Sequence, residues 1–172
     1  MSEEPDSDDI VLVDTNIFVA VGEPGTSKYQ SLRKYAQQRH LVLLVPERVH
    51  EELSTMHVAN RVQHAVDDGW AEIVDPPSPT HAEAVTAMDT VRREIARRSA
   101  KDEHEVEKAD TVLAGLAIEY RHRRGDDVFV LTDDRVAAAA IRVAVRRQDH
   151  EDAIAVVTRS DILDSDDDLR LI

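Results

Sequence analysis

The chain contains no cysteine, which excludes disulfide bridges and thiolate metal sites. Aromatic residues make up only 3% of it, so a core must be built from Val, Leu, Ile and Ala, and few rings are available to stack bases. No stretch approaches the roughly 18 consecutive apolar residues that a membrane-crossing helix needs. The segment from Met1 to Asp9 is acidic and lacks the apolar stretch of a secretion signal. A cytoplasmic location is expected. Lysine is scarce: it occurs at Lys28, Lys34, Lys101 and Lys108, leaving 17 of the 21 basic residues as arginine.

What is present is acid. Asp and Glu number 35, the formal net charge is −14 and the isoelectric point is about 4.9. A global negative field argues against nucleic acid, because phosphate binding favours a basic face. Abundant Asp with little Lys, however, is the composition of a protein that stays dissolved in very high salt, as in haloarchaea. At molar salt the Debye length is about 3 Å. The net charge then describes the solvent, and local patches carry the information about ligands.

At 172 residues and 42% hydrophobic content, the chain suits one domain with a real core. Residues 1–9 read as a disordered acidic leader, 10–160 as the folded domain and 161–172 as an acidic tail. Short apolar runs predict buried strands at 10–13, 41–45, 71–74, 128–131 and 153–157. Helices are expected over 27–39, from Pro46 to about Met56, 60–68, 80–100, 106–124 and 135–147, with Gly69 and Gly125 as stops. Pro76-Pro77-Ser78-Pro79 is a break. Strands alternating with helices imply a three-layer α/β/α fold around a mostly parallel sheet, with an extra long helix at 80–100. Ligands of such sheets bind at the carboxyl ends of strands.

Acids stand at those ends. Asp14 closes the run Ile10–Val13, and Asp133 and Asp134 follow Val128–Thr132. Helical phase at 100° per residue puts Glu52 within about 60° of the Val49–Leu53–Met56 stripe and Glu51 on the opposite side. It also puts Asp110 inside the stripe of Val106, Leu113, Ala117 and Tyr120. Singly, Asp14 can be a turn residue and Asp133 or Asp134 a helix cap. Together they repel. Two carboxylates about 4 Å apart cost roughly 4 kcal/mol at an effective dielectric near 20, so the set calls for a cation or a raised pKa. Oxygen-only ligands suit Mg²⁺ or Mn²⁺. The histidines show no persuasive ligand spacing, and zinc is not expected.

The pieces Val13-Asp14-Thr15-Asn16, Pro46-x-x-Val49-x-x-Glu52-Leu53, Lys108-Ala109-Asp110-Thr111 and Leu131-Thr132-Asp133-Asp134-Arg135, in this order across about residues 10–160, resemble the PIN-domain nucleases. Each piece is short; the four in order are more specific. The resemblance implies a metal-dependent single-strand ribonuclease, as in VapC toxins, leaving 5′-phosphate and 3′-hydroxyl ends. It implies catalytic acids at Asp14, Glu52, Asp110 and Asp134. Metal ligation falls to Asp14, Asp110 and Asp134, with Asp133 as a possible additional or alternative acid, and Asn16 and Thr132 are supporting polar residues. The segment 76–107 is longer than a compact toxin needs, so an RNA-processing nuclease outside toxin–antitoxin pairs is an alternative. A non-catalytic RNA- or protein-binding module is another, against which the intact acids argue. The partners implied are RNA, an antitoxin protein and a second copy of the chain.

Cations for RNA are sought on the helix carrying Arg92, Arg93, Arg97 and Arg98, with Arg121, Arg123, Arg124 and Arg146-Arg147 as further clusters. The competing reading is a solvated face paired with Asp89, Glu94 and Glu119. Other acid-using folds fit less well: a phosphatase-like site wants an acid where Asn16 stands, a receiver domain wants its acidic pair early, and the dinucleotide glycine fingerprint is absent.

Overall fold

The computed structural model describes residues 1–55, 58–78 and 80–163; the side chains of Thr15 and Glu52 also lie outside the description. Five four-residue strands, β1 (Ile10–Val13), β2 (Leu43–Pro46), β3 (Ala71–Val74), β4 (Val128–Leu131) and β5 (Ile154–Val157), form one all-parallel sheet in the order β3-β2-β1-β4-β5. Among the described residues seven helices lie between the strands, α1 (Thr15–Val21), α2 (Ser27–Gln38), α3 (Glu47–Thr55), α4 (Ala59–Asp67), α5 (Ala82–Ser99), α6 (Lys108–Arg124) and α7 (Arg135–Arg147), and an eighth, α8 (Arg159–Ile162), follows β5. A 3-10 turn, Glu103–Glu105, precedes α6.

Strand alternation sorts the core into two layers. Ile10, Leu12, Val128, Val130, Ile154 and Val156 pack with α5, α6 and α7. Val11, Val13, Phe129, Leu131 and Val157 pack with α1 to α4 and α8. This is the expected three-layer α/β/α arrangement. Strand order reverses between β1 and β4, whose register pairs Val13 with Leu131. One branch runs outward through β2 and β3, the other through β5. The crevice at that reversal is where open parallel sheets bind ligands.

Two helices, α1 and α8, were not anticipated; both are short and follow strands directly, α1 where Asp14 read as a turn residue. Pro46 ends β2 instead of opening a helix, and α3 starts at Glu47. The acidic leader, read as disordered, makes defined contacts: Pro5 is buried, Arg39 Nη1 donates to the Pro5 carbonyl at 3.3 Å, and Arg39 forms an ion pair with Glu4. The expected acidic tail from residue 164 onward lies outside the described residues.

Helix α6 shows no single buried face: Ala109 and every residue from Thr111 to Tyr120 are buried. The sheet covers one side and α5 and α7 cover others. The contact with α5 is close because of Gly115. A Cβ there would stand 2.7 Å from Met88 Sδ and 2.9 Å from Pro77 Cγ. The single-stripe reading of this helix therefore fails at Glu119, which phase puts outside and the structure buries. Its carboxylate is compensated by Arg123 at 2.6 Å and by the Ser78 amide at 2.8 Å.

Candidate active site

The carboxyl ends of β1 and β4 are stitched by side chains. Asp14 follows β1 in phase with Ile10 and Leu12, and Thr132 follows β4 in phase with Val128 and Val130, so both project to the same side of the sheet. The Asp14 amide donates to the Leu131 carbonyl at 2.9 Å, continuing the strand ladder by one bond. Thr132 Oγ1 then donates to Asp14 Oδ2 at 2.6 Å and accepts from the Asp134 amide at 3.1 Å. Asp14 is 3% exposed and Thr132 is fully buried.

Asp133 points the other way, in phase with Phe129 and Leu131. There it meets the start of α8. Its Oδ1 accepts the Arg159 amide at 2.9 Å and its Oδ2 the Arg159 Nε at 2.5 Å. The Asp133 amide donates to Asn16 Oδ1 at 3.3 Å, tying the start of α1 to the end of β4. Asp134 is the N-cap of α7, its Oδ1 accepting from Val136 and Ala137 amides at 2.9 and 3.0 Å. The cap uses one carboxylate oxygen, and Oδ2 has no hydrogen-bond partner among the described residues. Of the two neighbouring acids, Asp133 is thus neutralised by a guanidinium and Asp134 keeps an oxygen toward solvent.

Asp110 sits in the first turn of α6 and is half-buried. Its neighbour Ala109 belongs to the apolar cluster that holds Val13, Leu131, Val49 and Leu53. The start of α6 therefore reaches the carboxyl edge of the sheet beside β1 and α3. On α3, Val49 and Leu53 are fully buried and Glu51 is exposed in an ion pair with Arg48 at 3.0 Å. That is the helical phase expected, with the Glu52 side chain itself outside the described residues. The acids differ in burial: Asp14 is buried, Asp110 and Asp133 are half-buried and Asp134 is exposed, because strand ends and helix starts form the rim of the crevice.

Two clefts adjoin this edge. One, of about 270 Å³, is lined by residues including Arg48, Glu51, Arg92, Lys108 and Thr111. The other, of about 470 Å³, shares Arg48, Glu51 and Lys108 and extends to His104. Arg48 and Lys108 were not singled out as RNA contacts from the sequence, although both stand inside or beside the motif pieces that carry the acids. Of the expected arginines, Arg92 lines a cleft while pairing with Asp89 at 2.9 Å. Arg93 is exposed. Arg97 and Arg98 are both engaged by the buried Glu94, at 2.7 and 3.3 Å, with Arg147 nearby at 3.8 Å. These guanidiniums hold the Glu94 carboxyl below the ordinary carboxylate range, the hydrogen bond from Arg97 contributing most.

Far from the crevice, Glu83, His122 and His150 bring three ligand atoms within 4.8 Å of one another. Asp102, His104 and Glu105 do the same on an exposed turn. The first group was not legible locally, because its members are separated by 39 and 28 positions in the chain; the second falls within residues 102–105 and was not singled out.

A family model for the halobacterial PIN domain matches residues 7–170. The chain belongs to the halobacterial PIN domain family. No curated protein matches it. Among solved structures, this PIN domain is similar to a chain of VapBC2 from Rickettsia felis bound to a DNA fragment from their promoter, at 17% identity and a TM-score of 0.45, covering 87% of this chain and 98% of that one. No helix among the described residues is long and apolar enough to cross a membrane.

Proposed function

We propose that this PIN domain is a metal-dependent endoribonuclease whose reaction centre is the crevice at the β1/β4 reversal. The observation that carries this is a buried carboxylate, Asp14, held at that crevice by Thr132 with Asp110 and Asp134 on adjoining helix starts.

The donor set fits a hard divalent ion. It offers carboxylate oxygens only, in a chain without cysteine, and Mg²⁺ or Mn²⁺ prefers such oxygens. Asp14, Asp110 and Asp134 would hold it, with Glu52 adding a fourth acid. When bound, such an ion supplies Lewis-acid polarisation of the scissile phosphate and neutralises charge there. The protein's own groups do the rest. Thr132 fixes the carboxylate of Asp14 in one orientation. The α7 cap fixes Asp134. Asn16, through the Asp133 amide, holds the turn that presents both. Asp133, paired with Arg159, shapes the wall and is not needed as a ligand.

Lys108, Arg48 and Arg92 line the adjoining clefts and are the contacts proposed for the RNA backbone. Helix α5 contributes Met88 and Arg92 to the smaller cleft, so the added helix shapes the RNA path. With 3% aromatics, recognition proceeds through backbone and shape more than base stacking. An antitoxin partner and a homodimer belong to the same reading and are checked by co-purification and light scattering at high salt.

The test is cleavage of end-labelled RNA by the full chain at molar salt. Activity that requires Mg²⁺ or Mn²⁺, disappears with EDTA and yields 5′-phosphate ends supports the assignment. RNA binding without cleavage under every metal condition favours a non-catalytic module instead.

A further inference from the structure

The residues of the acidic crevice leave unused a compact histidine cluster at the opposite edge of the sheet, where α6 and α7 return to start β4 and β5. His122 lies in the last turn of α6, 12 residues beyond Asp110, which is about 18 Å along the helix at 1.5 Å per residue. His150 sits in the turn between α7 and β5. Its carbonyl accepts the Ala153 and Ile154 amides at 3.0 and 2.9 Å, and its own amide donates to Val145 at 3.0 Å, so its backbone is rigidly set. Glu83 comes from the first turn of α5.

These three elements aim at one point. His122 Nε2 lies 2.5 Å and His150 Nε2 3.2 Å from the same oxygen, Glu83 Oε2. The imidazole rings of His122 and His150 stand nearly perpendicular, at 87° with centroids 5.2 Å apart. His81 flanks His122 at 5.0 Å between ring centroids. Its Nδ1 caps α5 by accepting the Ala84 amide at 3.2 Å, which keeps that ring in place as a support.

We propose that Glu83, His122 and His150 form a second divalent-metal site, selective for borderline ions of the Zn²⁺ class and independent of the acidic crevice. Two imidazoles and one carboxylate are the three-ligand set that zinc takes with a water in its fourth position. Bonds of 2.0–2.1 Å in a tetrahedron put ligand atoms about 3.3 Å apart. The three atoms already lie within 4.8 Å of one another, so side-chain rotation alone reaches that spacing. Imidazole ligands select Zn²⁺, Ni²⁺ or Cu²⁺ over the Mg²⁺ that oxygen-only sites take. The site is open: His122 and Glu83 side chains are 42% and 44% exposed, and His150 is 18% exposed. An ion held there links α5, the end of α6 and the α7–β5 turn.

The experiment is zinc titration of the full chain by calorimetry, with thermal melting in ZnCl₂ and in MgCl₂, and the visible spectrum of the Co²⁺ form. The wild type should bind one Zn²⁺ tightly. At a hundredfold excess over Kd it should gain about 5–10 °C in Tm, and its Co²⁺ form should show tetrahedral bands. All three signals should persist in Asp14→Asn/Asp110→Asn and disappear in His122→Ala/His150→Ala, each variant's folding being verified by circular dichroism and its zinc shift read against its own zinc-free Tm. Glu83→Gln should weaken binding at least tenfold. Zinc binding that survives the histidine substitutions, or that is lost with the crevice acids, overturns the proposal, as does the absence of tight zinc binding by the wild type.

Discussion

Thr132 Oγ1 donates a 2.6 Å hydrogen bond to Asp14 Oδ2 across the reversal point of the sheet, and both residues are buried. A buried carboxylate that loses such a donor bears a desolvation penalty of about 1–3 kcal/mol or more. Thr132→Val keeps the shape and removes the hydroxyl. It should destabilise the fold by about 2 kcal/mol and, by releasing the Asp14 carboxylate, slow RNA cleavage about tenfold or more. Thr132→Ser, which keeps the hydroxyl, should retain most of both. Urea melts and single-turnover cleavage of the two variants check this.

Asp133 and Asp134 separate by substitution. Asp134→Asn keeps an oxygen for the Val136 and Ala137 amides, and Asn caps helices about as well as Asp. Its melting temperature should therefore stay near that of the wild type while cleavage falls by two orders of magnitude or more. Asp133→Asn loosens a pair with Arg159 whose side chains are 27% and 24% exposed; it should cost about 1 kcal/mol of stability and leave cleavage within a few-fold of wild type. Equal losses of activity in both variants would reassign the late ligand.

Much of this was legible in the sequence. Strand runs such as Ile10–Val13 and Val128–Leu131 are apolar throughout because a parallel sheet buries both faces. Helical phase separated buried Val49 and Leu53 from exposed Glu51 because α3 has one covered face. The same argument failed on α6, where Glu119 is buried: a helix wrapped by a sheet and two other helices has no face for periodicity to report. The roles of Asp133 and Asp134 were not separable because the deciding partner, Arg159, lies 26 residues away. The Glu83–His122–His150 cluster was hidden for the same reason. Its spacing exists only after α5, α6 and α7 pack.

Glu94 gives the fold a defined acid sensitivity. Its carboxyl is held below the ordinary value of 4.5 by Arg97 first, with Arg98 assisting. A depressed folded pKa means the contribution is complete above the ordinary carboxyl value and is lost as pH falls through the lower folded one. Glu94→Gln should therefore lower the Tm at pH 7 by about 2–4 °C, corresponding to about 1 kcal/mol for a pair whose arginines are largely solvated. The gap between the two proteins should close as pH falls below the ordinary carboxyl value of 4.5. Melting curves at matched ionic strength read it. A gap that widens in acid would contradict the assignment.

The proposed place of Asp14 in the reaction centre is tested by single-turnover cleavage of labelled RNA by wild type and Asp14→Asn at equal, saturating Mn²⁺, with folding verified by circular dichroism. The folded variant should still bind RNA through Lys108, Arg48 and Arg92 but cleave it at least about a hundredfold more slowly. Cleavage by Asp14→Asn at the wild-type rate would contradict it.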